Sequence, residues 1–160
     1  ISTLLKAFSI LKVRTEQDWH LSIAGSGSLL AQLQQEVMML GLSKRITFLG
    51  KVSDTKNFFK NIDVFVLSSK YEGFGLVLLE SMLEGIPIIS SEIPTSKEIL
   101  GEEYPAFFPA GNSNALALII EKMADDRFRL QTCLSYEKRL PQFSSSMMAD
   151  SISRIYGLAQ

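Results

Sequence analysis

The chain has 160 residues, 46% of them hydrophobic and 21% charged, enough apolar material for one globular domain with its own core. A net charge of −1 with scattered Lys and Arg, a single Cys and a single His exclude a nucleic-acid footprint, a disulfide framework and a His- or Cys-rich metal centre. No apolar run reaches the length of a membrane span and no basic-then-apolar leader opens the sequence, so a cytoplasmic domain is expected, and the start at Ile1 is that expected of a piece of a longer protein.

Leu4, Leu5, Phe8, Ile10 and Leu11 recur near the helical period and predict a helix over 2–14. Trp19 to Ala24 reads as a buried strand, broken by Gly25-Ser26-Gly27. An amphipathic helix over 28–40 stops at Gly41. Ile46 to Leu49 is a second strand ending at Gly50, and Ser53-Asp54 can cap a short helix over 54–61. Val64 to Leu67 is the third strand. A glycine-hinged loop follows it, then a helix over 76–84. Gly85-Ile86-Pro87 turns the chain into a fourth strand, Ile88 to Ser90. A short helix from Pro94 to Leu100 and a fifth strand, Ala106 to Phe108, come next. Asn112 or Ser113 can cap a helix over 114–124. A helix over 127–138 and a closing helix over 145–158 complete the chain, the last after Pro141 and the polar linker Ser144-Ser145-Ser146.

Short strands, apolar on both faces and alternating with helices, predict an α/β fold. It is a Rossmann-like, doubly wound parallel sheet flanked by helices, with right-handed crossovers. In such sheets a ligand lies outside the carboxyl ends of the strands. That selects the loops over 25–28, 50–53, 68–76 and 90–96, where the glycines and polar residues cluster.

The segment Glu72-Gly73-Phe74-Gly75-Leu76-Val77-Leu78-Leu79-Glu80 is the most informative. It joins a strand to a helix N-terminus, whose free N–H groups suit an anion. If Gly75 caps the helix, Glu80 lies about 6 Å further along the axis, roughly a phosphate-to-ribose distance. Leu76, Val77 and Leu83 surround Glu80 on the helix and would partly shield it, so that ribose hydroxyls could supply its donors. Pairing with a Lys or Arg, or plain solvation, is the commoner state of such a glutamate. Glu72 falls on the other flank of the anion, where a transferred sugar would sit, or serves only the helix dipole. Gly73 and Gly75 permit positive φ and close backbone approach. Phe74 either walls the pocket or, as is commoner, packs under the loop.

Gly25-Ser26-Gly27 also joins a strand to a helix. The third glycine of a dinucleotide fingerprint is replaced by Leu30, so a phosphate- or sugar-facing turn fits better than a dehydrogenase. The backbone at Gly50-Lys51-Val52 can meet a base edge. His20 is expected at a strand edge, Cys133 as a small packing residue in a helix, Glu98 as helical and solvated, and Met147 and Met148 as core.

These segments together resemble the retaining glycosyltransferases of family 4, which have the GT-B fold. Glu72 through Glu80 matches their E-x7-E pattern. Ile23-Ala24-Gly25-Ser26-Gly27 resembles their strand followed by G-x-G, and Ile46 to Gly50 their "FLG" strand. Asp63 to Ser68 precedes the motif and Glu84 to Ile89 follows it as in that family, and Ile152 to Leu158 resembles its closing helix. The resemblance covers nearly the whole chain and implies its C-terminal, donor-binding domain. It implies that Glu72 holds the donor sugar and that the backbone of Gly73, Phe74, Gly75 and Leu76 meets sugar and diphosphate. Glu80 would bind ribose, and the loop near Val52 the base. The donor would be a UDP- or GDP-linked sugar, transferred with retention and with no cofactor and no metal at the diphosphate.

The same resemblance implies that an N-terminal acceptor domain, a basic diphosphate-clasping loop and the first strand of this sheet lie outside the chain. The 160-residue chain would then be inactive alone and bind nucleotide with reduced affinity, and any membrane association would come from the other part. Competing readings are a nonenzymatic nucleotide-binding α/β module, an epimerase- or phosphorylase-like GT-B domain, and a degenerate partner subunit. Ala24-Gly25-Ser26 lacks the paired Asp of a receiver domain. Lys70, Lys97 and Lys122 lack a pyridoxal-phosphate context, and both glutamates are intact.

Overall fold

The computed structural model describes residues 1–143, so the closing helix over 145–158, with Met147 and Met148, lies outside the described residues. Helices and strands alternate as the periodicity predicts. The order is α1 (Ser2–Arg14), β1 (Leu21–Ala24), α2 (Leu30–Met39), β2 (Ile46–Gly50), α3 (Thr55–Lys60), β3 (Phe65–Leu67) and α4 (Leu76–Leu83). Then come β4 (Ile88–Ser91), α5 (Pro94–Leu100), β5 (Phe107–Phe108), α6 (Ser113–Lys122), α7 (Asp126–Glu137) and a 3₁₀ turn, Leu140–Phe143.

Local chemistry fixes the element ends. The Asp54 carboxylate accepts the Asn57 N–H at 2.9 Å and starts α3; Asn112 does the same for Ala115 at 3.0 Å and starts α6. Asp125 takes the Arg127 N–H at 2.8 Å ahead of α7.

All strand pairs are parallel, but they form two sheets, β1-β2 and β3-β4-β5, where one continuous sheet was expected. The reason lies in the pairing. Leu21 and Gly25 give their N–H to the β2 side, at 2.8 and 2.7 Å, and Phe65 gives its N–H to Pro87 beside β4 at 2.9 Å. The other edges of β1 and β3 pair with no described strand.

Burial on both faces, expected for every strand, holds only for β4, whose four residues are all buried. In β1 only Ile23 is buried. An incompletely paired sheet leaves its outer strands half in solvent. The core runs from Leu4, Leu5, Phe8 and Leu11 of α1 through Ile88 and Ile89 of β4 to Leu116 and Ile120 of α6. Burying an isoleucine such as Ile88 or Ile89, both at zero exposure, is worth about 1.5–3 kcal/mol.

Tyr104, in the turn between α5 and β5, and Tyr136 of α7 both bind the entry of β4. Tyr104 donates its hydroxyl to the Ile88 carbonyl at 2.7 Å, and Tyr136 donates to Ile86 at 2.9 Å. Burial holds both phenols above the ordinary tyrosine range. The folded state therefore keeps the Tyr104 proton after the unfolded chain has released it. Stability is intact below about pH 10 and is lost as pH rises, by about 1.4 kcal/mol per unit for Tyr104. Urea midpoints measured between pH 8 and 11 should stay level and then fall, and Tyr104→Phe should flatten the fall.

Candidate functional site

The loops at the carboxyl ends of β1, β2 and β3, with α4 after the last, carry the candidate residues, as expected for a parallel sheet. Gly75 is the N-cap of α4 and adopts φ 67°. A Cβ there would stand 2.7 Å from Ile99 Cδ1 and 3.2 Å from Thr95 Cγ2, so glycine is required twice over. Leu76 is the first residue of α4, and no side chain caps the helix. The Leu78 N–H is already given to the Gly75 carbonyl at 2.9 Å, which leaves the N–H groups of Leu76 and Val77 free for an incoming acceptor. Gly73 differs from Gly75: its φ is not positive, and nothing lies within 4 Å of a built Cβ.

Glu72 is half-buried. Its backbone carbonyl accepts the Thr95 hydroxyl at 2.8 Å, and its Oε2 lies 3.5 Å from Ser69 Oγ, the outer limit of a hydrogen bond. Glu80 is exposed, which corrects the expected shielding. Its helical neighbours Leu76 and Leu83 are themselves 58% and 73% exposed, because α4 turns Leu78, Ser81 and Met82 to the core instead. Phe74 is 63% exposed and does not pack under the loop. Gly75 sits so close to Ile99 and Thr95 that no room remains beneath it.

A cavity of about 880 Å³ opens between the two half-sheets. Gly25, Val52 and Glu80 line it together with Ser68, Ser69 and Lys51. Ser26, Glu72, Gly73, Phe74, Gly75 and Leu76 do not line it. The candidates thus form two adjoining groups, joined where Ser69 leads towards Glu72. Gly25 holds φ 134° and gives its N–H to Gly50 at 2.7 Å, which brings the two loops at residues 25 and 50 side by side.

The remaining candidates are structural. His20 precedes β1, exposed, 3.3 Å from Asp18. Cys133 lies against the Gly85 carbonyl at 3.5 Å, within α7. Glu98 is helical and exposed. Lys97 is engaged by Glu92 at 3.0 Å and Glu102 at 3.2 Å. Glu92 first and then Glu102 hold its ammonium above the usual lysine range. Among the described residues no group of three or more His, Cys, Asp or Glu is placed to hold a metal ion, and no helix is long and apolar enough to cross a membrane. Sequence reasoning did not single out Ser91 and Thr95, whose hydroxyls hold the loop after β3. The hydroxyl pairs Ser90-Ser91 and Thr95-Ser96, bracketing the turn Glu92-Ile93-Pro94, were the available signal.

A family model described as glycosyl transferases group 1 matches residues 1–140. A lipopolysaccharide core biosynthesis mannosyltransferase, LpsB of Rhizobium meliloti, is 28% identical over 149 residues, covering 87% of this chain and 42% of that protein. An O-antigen biosynthesis glycosyltransferase, WclY of Escherichia coli, is 31% identical over 136 residues, covering 84% of this chain and 37% of that protein. Among solved structures, Anabaena HepE in complex with UDP-glucose superposes with a TM-score of 0.83 at 23% identity, over 99% of this chain and 45% of that one. The chain thus spans less than half the length of each of these proteins.

Proposed function

The chain belongs to the glycosyl transferases group 1 family, and we propose that it is the part that holds the nucleotide-diphosphate sugar donor. The observation that carries this is the uncapped tip of α4 at Gly75, flanked by Glu72 before it and Glu80 one turn inside. A diphosphate at that tip would accept the free N–H groups of Leu76 and Val77 and gain about 0.3–1 kcal/mol from the helix dipole. As the sugar departs, negative charge grows on the same phosphate. Fixed N–H donors stabilise that charge more than they stabilise the ground state.

In this reading Glu72 accepts hydrogen bonds from the hexose hydroxyls and orients the anomeric carbon. Glu80 accepts from the ribose hydroxyls, and the backbone near Val52 meets the base. The turn at Gly25-Ser26 faces the sugar or phosphate, and Gly73 and Phe74 border the hexose. The diphosphate needs no metal in this arrangement, because the helix tip carries its charge together with the basic loop expected outside this chain. Transfer proceeds with retention, as the E-x7-E resemblance to family 4 implies.

A UDP- or GDP-linked hexose is the proposed donor. Support comes from HepE, solved with UDP-glucose, and from LpsB, named a mannosyltransferase. The acceptor would be met by polypeptide beyond the matched region, since these relatives are more than twice as long. Transfer itself is assigned to that longer assembly. The open edges of β1 and β3 leave room there for one more parallel strand. The glycosyltransferase relatives leave the nonenzymatic-module and epimerase readings without support.

Titration with UDP, GDP and ADP, each with and without its hexose, tests this reading through amide shifts. One nucleotide should shift residues 72–80 together with Gly25 and Val52, and its hexose should add shifts at Glu72 to Phe74. Shifts confined to other surfaces would refute the assignment.

A further inference from the structure

The loop that carries Glu72 is not held by its own strand and helix alone. Two hydroxyls from the next strand–helix unit reach across to its backbone. Ser91, fully buried at the end of β4, donates to the Ser69 carbonyl at 2.5 Å. Thr95, in the first turn of α5, donates to the Glu72 carbonyl at 2.8 Å. The two anchors bracket the segment from Ser69 to Glu72. Behind them, Ser90 donates to Ser96 at 2.8 Å, both fully buried, which locks the turn between β4 and α5 itself. On the far side of the loop, the Thr95 methyl and Ile99 close over Gly75. Thr95 therefore does two things with one side chain: its hydroxyl fixes the carbonyl of Glu72, and its methyl fixes the position of the α4 cap.

We infer that Thr95, assisted by Ser91, is a positioning residue that sets the Glu72 carboxylate relative to the tip of α4. The inference rests on the donor-site reading for its functional consequence, but the clamp itself is a property of the free chain. A loop hydrogen-bonded only to itself would let Glu72 rotate away from the helix tip. A carbonyl held from outside removes that freedom before ligand arrives, and such preorganisation raises affinity by reducing the ordering needed on binding.

The test compares Thr95→Val, which keeps the branched shape and removes the donor, with Thr95→Ser, which keeps the donor. Ser91→Ala probes the same loop from its other anchor. Each 160-residue variant is titrated with UDP and with UDP-glucose, and backbone NMR order parameters are measured in the ligand-free chain. Thr95→Val should lower the order parameters at Glu72 and Gly73. It should cut the extra affinity contributed by glucose about fivefold while leaving UDP affinity unchanged, and Thr95→Ser should restore both. Unchanged order parameters in Thr95→Val and Ser91→Ala alike would overturn the clamp. Lower order parameters with an intact glucose contribution, or an equal loss of UDP and UDP-glucose affinity, would reduce Thr95 to a structural residue and overturn its positioning role. If the unaltered chain gains nothing from glucose, the UDP-glucose donor reading fails along with the positioning role, while the order parameters still decide the clamp.

Discussion

Replacing Gly75 by alanine is expected to lower stability by about 2–5 kcal/mol. A left-handed φ costs a residue with a Cβ about 1–2 kcal/mol, and forcing a methyl into a packed site adds about 1–3 kcal/mol. Both apply here: φ is 67°, and the new Cβ would meet Ile99 Cδ1 at 2.7 Å. Relief of that clash would push the loop away from α5, so donor affinity should fall with stability. Gly73→Ala is the control. It has neither the φ nor the neighbours, and should change stability by less than about 0.5 kcal/mol. Urea unfolding of the two variants separates a conformational requirement at Gly75 from a general intolerance of this loop.

The second large effect is expected at the two glutamates, and the two should differ in kind. Glu80→Ala should weaken UDP and UDP-sugar alike, because ribose is common to both. Glu72→Ala should weaken only the sugar-bearing ligand. Hydrogen bonds to a charged group are worth about 1.5–3 kcal/mol, which corresponds to roughly ten- to a hundredfold in affinity. Glu80 is exposed and water competes for its oxygens, so its effect should fall near the lower figure. Glu72 is half-buried and should lie higher. Calorimetric titration of both variants with both ligands checks the pattern. Equal losses in Glu72→Ala for UDP and UDP-sugar would remove the hexose from its side of the site.

Features set by neighbours in sequence were readable in advance. Asp54 and Asn112 cap the helices that follow them, because an Asx side chain reaches the N–H three residues on without help from the rest of the fold. Gly75 ahead of an apolar helix announced the cap in the same way. Features set by packing were not. Leu76 and Leu83 look like a shield for Glu80 on a helical wheel, yet α4 presents a different face to the core. Phe74 is apolar but 63% exposed; it is Gly75, not Phe74, that this loop presses against Ile99 and Thr95. The separation of β1-β2 from β3-β4-β5 depends on which edges pair, and strands of two to five residues carry no side-chain pattern that encodes a neighbour. The Thr95 contact spans 23 residues and links a hydroxyl to a backbone carbonyl, so Glu72 itself gives no hint of it.

A crystal structure of the chain with UDP-glucose tests the donor site most directly. The expected result puts the diphosphate within hydrogen-bond distance of the N–H groups of Leu76 and Val77, with the ribose on Glu80 and the glucose hydroxyls on Glu72. A nucleotide bound with those N–H groups empty and Glu72 facing solvent would contradict it.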